Sequence, residues 1–590
     1  MTITSKDNIP IEKSFKVEAG PGAGKTEFLV NHIKNVVQNS KRLFCTRKIA
    51  CITYTNTGVE TILNRLGKNV SEKVEVSTIH SFLYRNIVKP YAAFIPEEYK
   101  LNYSLLNGHE DLFVNGENIR KWISNTSFDS LKNPNSKNQL LKMPEQFNAL
   151  KNWILSMQCT YENGTAKFYC NYGKALYITD KIKMSITKRN LDVLSEHLLD
   201  LKKLYWTEGK IDHNDVLFFS VILIDKYPFI LKVLRAKFPY IFLDEYQDTS
   251  PIQAYIIDKI KENETIIGVI GDKVQSIYSF QGANPSLFES FKVDSDCQFK
   301  IIQNHRSSKE IIDFLNIIRN DIKQESVNDK SGNKICIIIG DRIAAYQKAL
   351  EMCKDTTMKE TITSLSRENI ISNAMKKDID NAGIDENVFN TYREIDKSGG
   401  GSRRRYIESI IHSVELARNG RFKEAIKYLE REFNTNENPK KKALYTLSIL
   451  LSKYSLYSNG NLMKFYNLVA PLSDKKISEF RKGEVKSFYE TTDYQSLAIC
   501  VNIPEDTSKH ITIHKSKGNE FRNILVLGSD EIKQAILKPN LDTNEEHRVA
   551  YVAFSRAQDR LFIQFDPEIF SSDDEAKVIE KFNMVEIIKL

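Results

Sequence analysis

The stretch that most constrains the fold is FKVEAGPGAGKTEFLVNHI at residues 15–33. A short apolar run there passes through small residues into Gly24, Lys25 and Thr26, and an amphipathic helical pattern follows. Small residues let the backbone wrap phosphate groups, whose negative charge is favourable at a helix N-terminus. The order of strand, loop and helix therefore predicts a Walker A phosphate loop rather than a glycine-rich surface turn, with Ala19 in place of the usual first glycine.

Each part of this loop has a predicted role in binding a nucleotide. Lys25 would reach the β- and γ-phosphates, and the hydroxyl of Thr26 would ligate Mg²⁺. ATP and Mg²⁺ are therefore the cofactors that we expect. The backbone around the phosphates would come from Ala19, Gly20, Pro21, Gly22, Ala23 and Gly24.

A second segment, YIFLDEYQD at residues 240–248, ends an apolar run in a cluster of acids. A phosphate loop needs another carboxylate on the metal and a group that orients the attacking water. Asp244 would hold the magnesium ion, and Glu245 would polarise the water. A solvated acidic turn is the alternative, but the phosphate loop upstream favours a Walker B site.

Length and composition limit the remaining possibilities. A chain of 590 residues is too long for one hydrophobic core, so several domains are expected. No run approaches the ~18 apolar residues that span a bilayer, and the N-terminus lacks the order of a signal peptide, which favours a cytoplasmic protein without a membrane partner. The cysteines are scattered without a CxxC pair, which disfavours a disulfide framework or metal cluster. The formal charge of +8 mildly favours a polyanionic partner.

Further motifs accompany the two nucleotide segments. DEYQD after a phosphate loop resembles motif II of the UvrD/Rep/PcrA group of superfamily 1 DNA helicases, and other segments are similar to that group's motifs in the same order. They are ITYTNTGVETILNRL (52–66), STIHSFLYR (77–85), IDHNDVLFFS (211–220), GDKVQSIYSFQGA (271–283), NHRSS (304–308), ITSLSRENI (362–370), ITIHKSKGNEF (511–521) and EEHRVAYVAFSRAQDRLFI (545–563).

The resemblance implies roles for several side chains around the nucleotide. Gln275 and Arg306 resemble groups that sense the γ-phosphate, and Arg556 resembles the arginine finger of the second motor lobe. The expected catalytic residues are therefore Glu245, Gln275, Arg306 and Arg556. Glu520 resembles the residue that bonds the ribose, and His305 stands where the group has a tyrosine that packs on the base.

The resemblance also implies a path for single-stranded DNA. Aromatic rings that stack on bases contribute about 1–3 kcal/mol each and tolerate any sequence. Ordinary core packing is the alternative for each ring. The implied DNA-binding residues are Tyr54, Thr55, Asn56, His80, Tyr278, Phe280 and His514.

The motif order divides the chain into two motor lobes. Because Arg556 is far from Lys25 in sequence, a second lobe must close over the nucleotide. We expect an α/β fold with two RecA-like P-loop lobes, each a mostly parallel sheet flanked by helices, and mainly helical insertions in both. The expected boundaries are 1–95 and 205–290 for the first lobe, 96–204 for its accessory insertion, 291–375 and 500–590 for the second lobe, and 376–499 for its accessory insertion.

The second insertion contains DKSGGGSRRRYIESIIHSVELA at residues 396–417, where a glycine run precedes three arginines and a helical pattern. The glycines predict a flexible loop. The arginines could contact a DNA backbone, although a solvated loop is the more common explanation for such a cluster.

Several positions depart from the group's pattern. Residues 1–17 contain no glutamine, whereas the group has a Q motif that contacts adenine, so the preference for ATP stays open. The imidazole of His305 stacks less well on a base than tyrosine does. Gln281 and Thr57 replace an arginine and a lysine, which removes positive charge from surfaces that couple hydrolysis to DNA.

Two classes of function agree with these motifs. The first is an ATP-driven translocase that binds single-stranded or tailed duplex DNA and separates its strands, with the 3′-to-5′ polarity that the group implies. The second is a DNA-sensing subunit that switches a separate nuclease in anti-phage defence, because the short second insertion resembles compact UvrD-like proteins of the Gabija GajB type. The later motifs disfavour a P-loop kinase or GTPase.

Overall fold

The structure, a computed structural model, describes most of the chain. The predicted start of the second insertion, residue 376, lies outside the described residues. No helix among them has both the length and the apolar character that a membrane span requires. The described residues are 1–109, 114–125, 134–178, 183–262, 264–327, 331–354, 361–368, 371–372, 375, 386–396, 398–418, 421–433, 436–474, 477–480, 483–501 and 508–590.

Most strands belong to two six-stranded parallel sheets. In chain order the strands are β1 (Phe15–Ala19), β2 (Ile49–Thr53), β3 (Val74–Thr78), β4 (Gln158–Glu162), β5 (Thr165–Tyr169), β6 (Leu176–Ile178), β7 (Lys183–Ser185), β8 (Tyr240–Leu243), β9 (Ile266–Gly271), β10 (Gln298–Ile301), β11 (Gln303–Asn304), β12 (Glu325–Ser326), β13 (Ile335–Ile339), β14 (Ile362–Ser366), β15 (His510–Thr512), β16 (Phe521–Leu527), β17 (Ala557–Phe565) and β18 (Val585–Lys589). The first sheet has the order β10-β1-β9-β8-β2-β3, and the second has the order β15-β14-β16-β17-β13-β18. Two parallel sheets covered by helices confirm the predicted α/β class with two RecA-like lobes.

The central strands β9, β8 and β2 of the first sheet are buried on both faces, as expected for a parallel sheet between helices. In β2, Ile49 and Cys51 share one core layer with the helix Lys25–Asn39, whereas Ala50 and Ile52 face the opposite layer. The other helices of this lobe are Asn56–Leu66, Lys68–Ser71, Ile79–Leu83, His213–Lys226, Phe229–Lys237, Pro251–Lys261 and Ser286–Ser290.

The edge strand β10 extends the first sheet beyond the predicted boundary at residue 290. It pairs in parallel with β1, and its Phe299 and Ile301 are buried while Gln298 and Lys300 are exposed. The boundary at 290 therefore lies one strand too early, because motif spacing cannot locate a strand that carries no motif.

The first insertion combines helices with two antiparallel hairpins, β4 with β5 and β6 with β7. It has a hydrophobic cluster of its own that includes the buried Trp122 and Trp153. Its helices are Gly116–Asn125, Pro134–Lys142, Pro144–Leu155, Lys188–Glu196 and Leu198–Trp206.

The second lobe repeats the layered arrangement of the first. In β13, Ile335 and Ile337 belong to one core layer, and Cys336 and Ile338 belong to the other. Its helices are Lys309–Ile318, Arg342–Met352, Ile513–Ser516, Asp530–Leu537, Glu545–Phe554 and Ser572–Lys581.

The second insertion consists mainly of helices and corrects one prediction. The glycine run lies inside the helix Ser398–Arg418, so the expected flexible loop is wrong. Arg403 is buried and donates to both carboxylate oxygens of the buried Asp396, at 2.7 and 3.0 Å. This ion pair takes one of the three arginines out of the solvent. The other helices are Glu386–Ile395, Phe422–Glu432, Pro439–Ser452, Tyr454–Tyr457, Leu462–Val469, Glu484–Thr491 and Tyr494–Val501.

A buried imidazole makes the stability of the first lobe depend on pH. His32 packs against Phe15, Phe28 and Phe242, with ring centroids within 5.9 Å. The described residues offer neither of its ring nitrogens a hydrogen-bond partner. Burial therefore lowers the pKa of His32 to about 4.

We expect His32→Phe to remove this pH dependence. The unfolded chain takes up a proton near pH 6.5 and the folded lobe only near pH 4, so the contribution of His32 to stability is full above pH 6.5 and is lost as the pH falls towards 4. Between pH 7 and pH 5 the wild type should lose about 2 kcal/mol more unfolding free energy than the variant. Urea unfolding at both pH values measures this difference, and equal losses in the two proteins would contradict it.

Candidate functional site

A cavity of about 320 Å³ lies between the two lobes. The structure brings the predicted nucleotide-binding and catalytic residues together there, although their individual roles stay predictions. Ala19 is the exception, because its buried side chain lies in β1 outside the lining. The predicted residues that line the cavity are Gly20, Pro21, Gly22, Ala23, Gly24, Lys25, Thr26, Asp244, Glu245, Gln275, His305, Arg306, Glu520 and Arg556.

The phosphate loop has the backbone that a phosphate cradle needs. Gly22 and Gly24 have φ angles of 68° and 82°, in the left-handed region that favours glycine. A Cβ atom on Gly22 would lie 2.6 Å from the Oδ1 atom of Asn304, so the loop packs tightly against the segment after β10. A side chain at this position would push the loop out of place.

Two carboxylates follow β8 at the edge of the cavity. The backbone N–H of Glu245 donates to Asp244 at 3.0 Å, and Gln247 donates to the Glu245 carboxylate. The Nζ atom of Lys25 lies 4.0 Å from Oε1 of Glu245. Burial and repulsion from Glu245 raise the pKa of Asp244. Burial also acts to raise the pKa of Glu245, but Lys25 and Lys517 hold it below its ordinary value.

Two arginines of the second lobe face the same cavity. The Arg556 side chain is only 2% exposed, and its Nη2 donates to Oε1 of Gln275 at 3.0 Å while its Nε donates to the Val552 carbonyl at 3.1 Å. Burial, together with the charge of Arg306, lowers the pKa of Arg556 to about 9. Arg306 itself donates to Glu520 at 2.6 Å. The predicted phosphate sensor and the predicted ribose ligand therefore form an ion pair in this structure.

Lys517 joins the two lobes, although the sequence reasoning assigned it no role. Its Nζ donates to Asp248 at 2.5 Å and to the Gln275 carbonyl at 2.8 Å, and it lies 4.7 Å from the centre of the Tyr278 ring. Burial raises the pKa of Asp248 to about 6, although Lys517 opposes this shift. The only sequence signal for Lys517 is its place in the ITIHKSKGNEF motif.

Four of the predicted DNA-binding side chains form an aromatic cluster beside the cavity, defined here as Tyr54, Tyr278, Phe280 and His514. Tyr54 stacks on Tyr278 with ring centroids 4.9 Å apart, and Phe280 lies 5.5 Å from His514. Phe280 is 58% exposed, whereas the other three rings are partly buried. Phe280 is therefore the most exposed side chain of the aromatic cluster.

The other predicted DNA-binding residues have different surroundings. Thr55 accepts a hydrogen bond from the Gly58 N–H at 3.1 Å, which caps the helix that begins at the exposed Asn56. His80 contacts His213 with ring centroids 4.8 Å apart, and burial with neighbouring imidazoles lowers the pKa of His80 to about 3. The structure thus groups His80 with other histidines rather than with the aromatic cluster.

Family comparisons agree with this geometry. Residues 4–296 match the family model of the UvrD/REP helicase N-terminal domain, and residues 407–567 match that of the UvrD-like helicase C-terminal domain. The chain belongs to the UvrD/Rep helicase family. The resemblance predicted from the motifs is therefore confirmed.

Curated relatives match this chain over most of its length. Gabija protein GajB of Bacillus cereus is 24% identical over 96% of this chain and 95% of its own. ATP-dependent DNA helicase Rep of Buchnera aphidicola subsp. Baizongia pistaciae is 25% identical over 93% of this chain and 88% of its own. ATP-dependent DNA helicase PcrA of Leuconostoc citreum is 22% identical over 93% of this chain and 79% of its own. The similarity is therefore not confined to the motor lobes.

One departure from the family pattern has a structural role in this chain. The Tyr54 hydroxyl donates to the side-chain oxygen of Gln281, which stands where the family has an arginine. Arginine has no acceptor atom, so this hydrogen bond depends on the amide. Gln281 thereby ties a predicted stacking residue to the loop that carries Phe280.

Sequence reasoning missed the contact of the first insertion with the loop that carries Phe280. Gln158 of β4 donates to the Phe280 carbonyl and accepts from the Tyr169 hydroxyl. The hairpin β4–β5 therefore supports the backbone of the exposed ring. No motif marks this hairpin, so the sequence carried no signal for the contact.

Proposed function

We propose that this protein is an ATP-driven DNA helicase that binds single-stranded or tailed duplex DNA and separates strands in the 3′-to-5′ direction. The observation that carries the proposal is that Tyr54 and Tyr278 belong to the aromatic cluster and also line the nucleotide cavity. A nucleotide that changes the shape of the cavity would therefore move rings that stack on bases. The choice of ATP and the polarity rest on the family.

The residues of the cavity would have different roles in ATP hydrolysis. Lys25 and the phosphate loop would bind the β- and γ-phosphates. The Glu245 carboxylate would accept a proton from the attacking water, and Gln275 would contact the γ-phosphate. Arg556 would stabilise the negative charge that develops during phosphoryl transfer. Closure between two lobes excludes bulk water, which strengthens these interactions.

The donor set of the cavity fits a magnesium ion. Thr26 offers a hydroxyl and Asp244 a carboxylate, and both supply the hard oxygen atoms that Mg²⁺ prefers. Asp248 adds a buried Oδ1 atom without a hydrogen-bond partner among the described residues. When bound, the ion neutralises charge on the β- and γ-phosphates. Thr26 and Asp244 would hold it.

The test is an ATPase and strand-separation assay on duplexes that carry either a 3′ or a 5′ single-stranded tail. We expect DNA to stimulate hydrolysis and only the 3′-tailed duplex to unwind, because a 3′-to-5′ translocase loads on a 3′ tail. Lys25→Ala is the control and should bind DNA without turnover. Unwinding from a 5′ tail would overturn the proposed polarity. A rate of ATP hydrolysis that DNA does not change would overturn the proposed helicase function.

Similarity to Gabija protein GajB over 96% of this chain supports a second candidate. In this second candidate function, the protein is a DNA-sensing subunit whose nucleotide turnover switches a partner nuclease in anti-phage defence. DNA would still stimulate hydrolysis, but strand separation would be weak. Adding a nuclease encoded beside the gene to the same assay separates the candidates, because ATP-dependent control of cleavage with little unwinding favours the sensor.

We expect Phe280→Ala to weaken single-stranded DNA binding by about 1–3 kcal/mol without changing its salt dependence, because a stacked ring is lost but no phosphate contact. Titration of a labelled oligonucleotide at several salt concentrations measures both quantities. Phe94→Ala is a matched control, since Phe94 is 45% exposed but packs on Tyr227 and Phe229 instead of the aromatic cluster. Unchanged affinity in Phe280→Ala would mean that the strand runs elsewhere.

A further inference from the structure

The segment from Asp272 to Gln281, called the bridging loop below, leaves the first lobe after β9 and packs into the second lobe. Its Val274 and Ile277 belong to the same buried cluster as the strands and helices of the second lobe. The loop carries Gln275 at the nucleotide cavity and Phe280 at the aromatic cluster. Its position therefore determines the geometry of both sites.

A buried carboxylate anchors the start of the bridging loop. Asp272 is 0% exposed, and it accepts from the Val274 N–H at 3.2 Å and from Nε2 of Gln275 at 2.6 Å. The second contact fixes the amide so that its Oε1 accepts from Arg556 at 3.0 Å. The orientation of Gln275 thus depends on Asp272.

Arg319 neutralises this carboxylate from the second lobe. It directly follows the helix Lys309–Ile318 and is 1% exposed. Its Nη1 and Nη2 atoms lie 2.9 and 2.8 Å from the two oxygens of Asp272, and its Nε donates to Asp321 at 2.6 Å. A planar guanidinium makes such parallel hydrogen bonds to a carboxylate, and an ammonium group does not. Loss of Arg319 would leave the charge of Asp272 buried without this partner.

We propose that Arg319 is a positioning residue for ATP hydrolysis. It acts through Asp272 to hold the Gln275 amide against Arg556 in the nucleotide cavity, and it fixes the bridging loop between that cavity and the aromatic cluster. Arg319 is absent from the cavity lining, so it does not act by touching the nucleotide. The role rests on the proposed ATP-hydrolysing function. A displacement of about 1 Å at a reacting centre costs roughly a hundredfold in rate.

Arg319→Lys and Arg403→Lys form a matched pair for the test. Arg403 is also 1% exposed and contacts both oxygens of a fully buried aspartate, Asp396, but it lies in the second insertion outside the cavity lining. Thermal unfolding measures the loss of stability in each variant. We expect Arg319→Lys to lower the DNA-stimulated kcat by roughly ten- to a hundredfold with little change in the KM for ATP. Arg403→Lys should change neither constant.

A Gln275→Ala background shows whether Arg319 acts through that side chain. Gln275→Ala alone should lower kcat, and adding Arg319→Lys should cause little further loss, because residues that act as a unit are not additive. The proposal would be overturned if the two substitutions lowered kcat by factors that multiply. It would also be overturned by a wild-type kcat in Arg319→Lys, or by an equal loss of kcat in Arg403→Lys.

A double variant replaces Arg319→Lys if that protein does not fold. Arg319→Met combined with Asp272→Asn removes both buried charges, and its kcat is then compared with that of Arg403→Lys. The turnover of the wild type in the same assay decides the proposed function separately. A wild type without DNA-stimulated turnover would overturn both proposals, whereas an active wild type with an equally active Arg319 variant would overturn only the role of Arg319.

Discussion

Replacing Glu245 with glutamine is expected to lower the kcat of ATP hydrolysis by about 10²–10⁴-fold and to leave ATP binding nearly intact. The substitution keeps Asp244, the proposed metal ligand. Lys25 and Lys517 hold the pKa of Glu245 below its ordinary value despite burial, so the carboxylate is ionised at neutral pH and can accept a proton. An amide of the same shape cannot accept that proton, and it orients water less strongly.

Glu18→Gln provides a matched control for this substitution. Glu18 lies on β1, is partly buried like Glu245 and pairs with Lys300 at 3.1 Å, but it is outside the cavity lining. The Glu18→Gln variant should keep the wild-type rate of ATP turnover. Single-turnover hydrolysis measures the chemical step, and binding of a fluorescent nucleotide measures affinity. Normal turnover by Glu245→Gln would show that the acids following β8 do not catalyse ATP hydrolysis.

The nucleotide cavity could be predicted from the sequence because each of its parts is a local pattern. The phosphate loop requires small residues before one helix, and the Walker B site requires acids at the end of one apolar strand. In a parallel sheet the carboxyl ends of the strands meet at one edge. These rules are sufficient to bring Lys25, Asp244 and Glu245 into one cavity, where the structure places them.

The ion pairs that join the lobes could not be predicted in this way. Lys517 and Asp248 are 269 residues apart, and Arg319 and Asp272 are 47 residues apart. A charged side chain in isolation predicts solvent exposure. Arg319 is buried by contacts with Asp272 of the bridging loop and Asp321 of its own lobe, and no periodicity within one element reports these contacts.

The glycine run in the second insertion shows how tertiary contacts can outweigh local preference. Each glycine in a helix costs about 1 kcal/mol relative to alanine, which favours a loop. The helix Ser398–Arg418 nevertheless buries Ile407, Ile410 and Val414 and holds the pair of Arg403 with Asp396. These contacts depend on the surrounding helices of the insertion, so the segment taken alone predicts the wrong structure.

Replacing Arg556 with alanine is expected to lower kcat by about a thousandfold and to leave ATP affinity almost unchanged. An arginine finger stabilises charge that develops only in the transition state, so its loss appears in kcat. Arg556 reaches the cavity from the second lobe, and its Nη2 donates to Gln275 at 3.0 Å. Burial and Arg306 lower the pKa of Arg556 to about 9, which leaves the guanidinium charged at neutral pH. Developing phosphate charge would relieve the repulsion between the two arginines.

Arg306→Ala distinguishes the two arginines in the same experiment. Arg306 is paired with the Glu520 carboxylate at 2.6 Å, whereas Arg556 donates to neutral acceptors that include Gln275 and the Val552 carbonyl. The Glu520 carboxylate competes with a phosphate for the Arg306 guanidinium, so Arg306→Ala should change the KM for ATP as well as kcat. Steady-state kinetics at saturating DNA give both constants for each variant. A loss below tenfold in Arg556→Ala, with a larger loss in Arg306→Ala, would make Arg306 the finger.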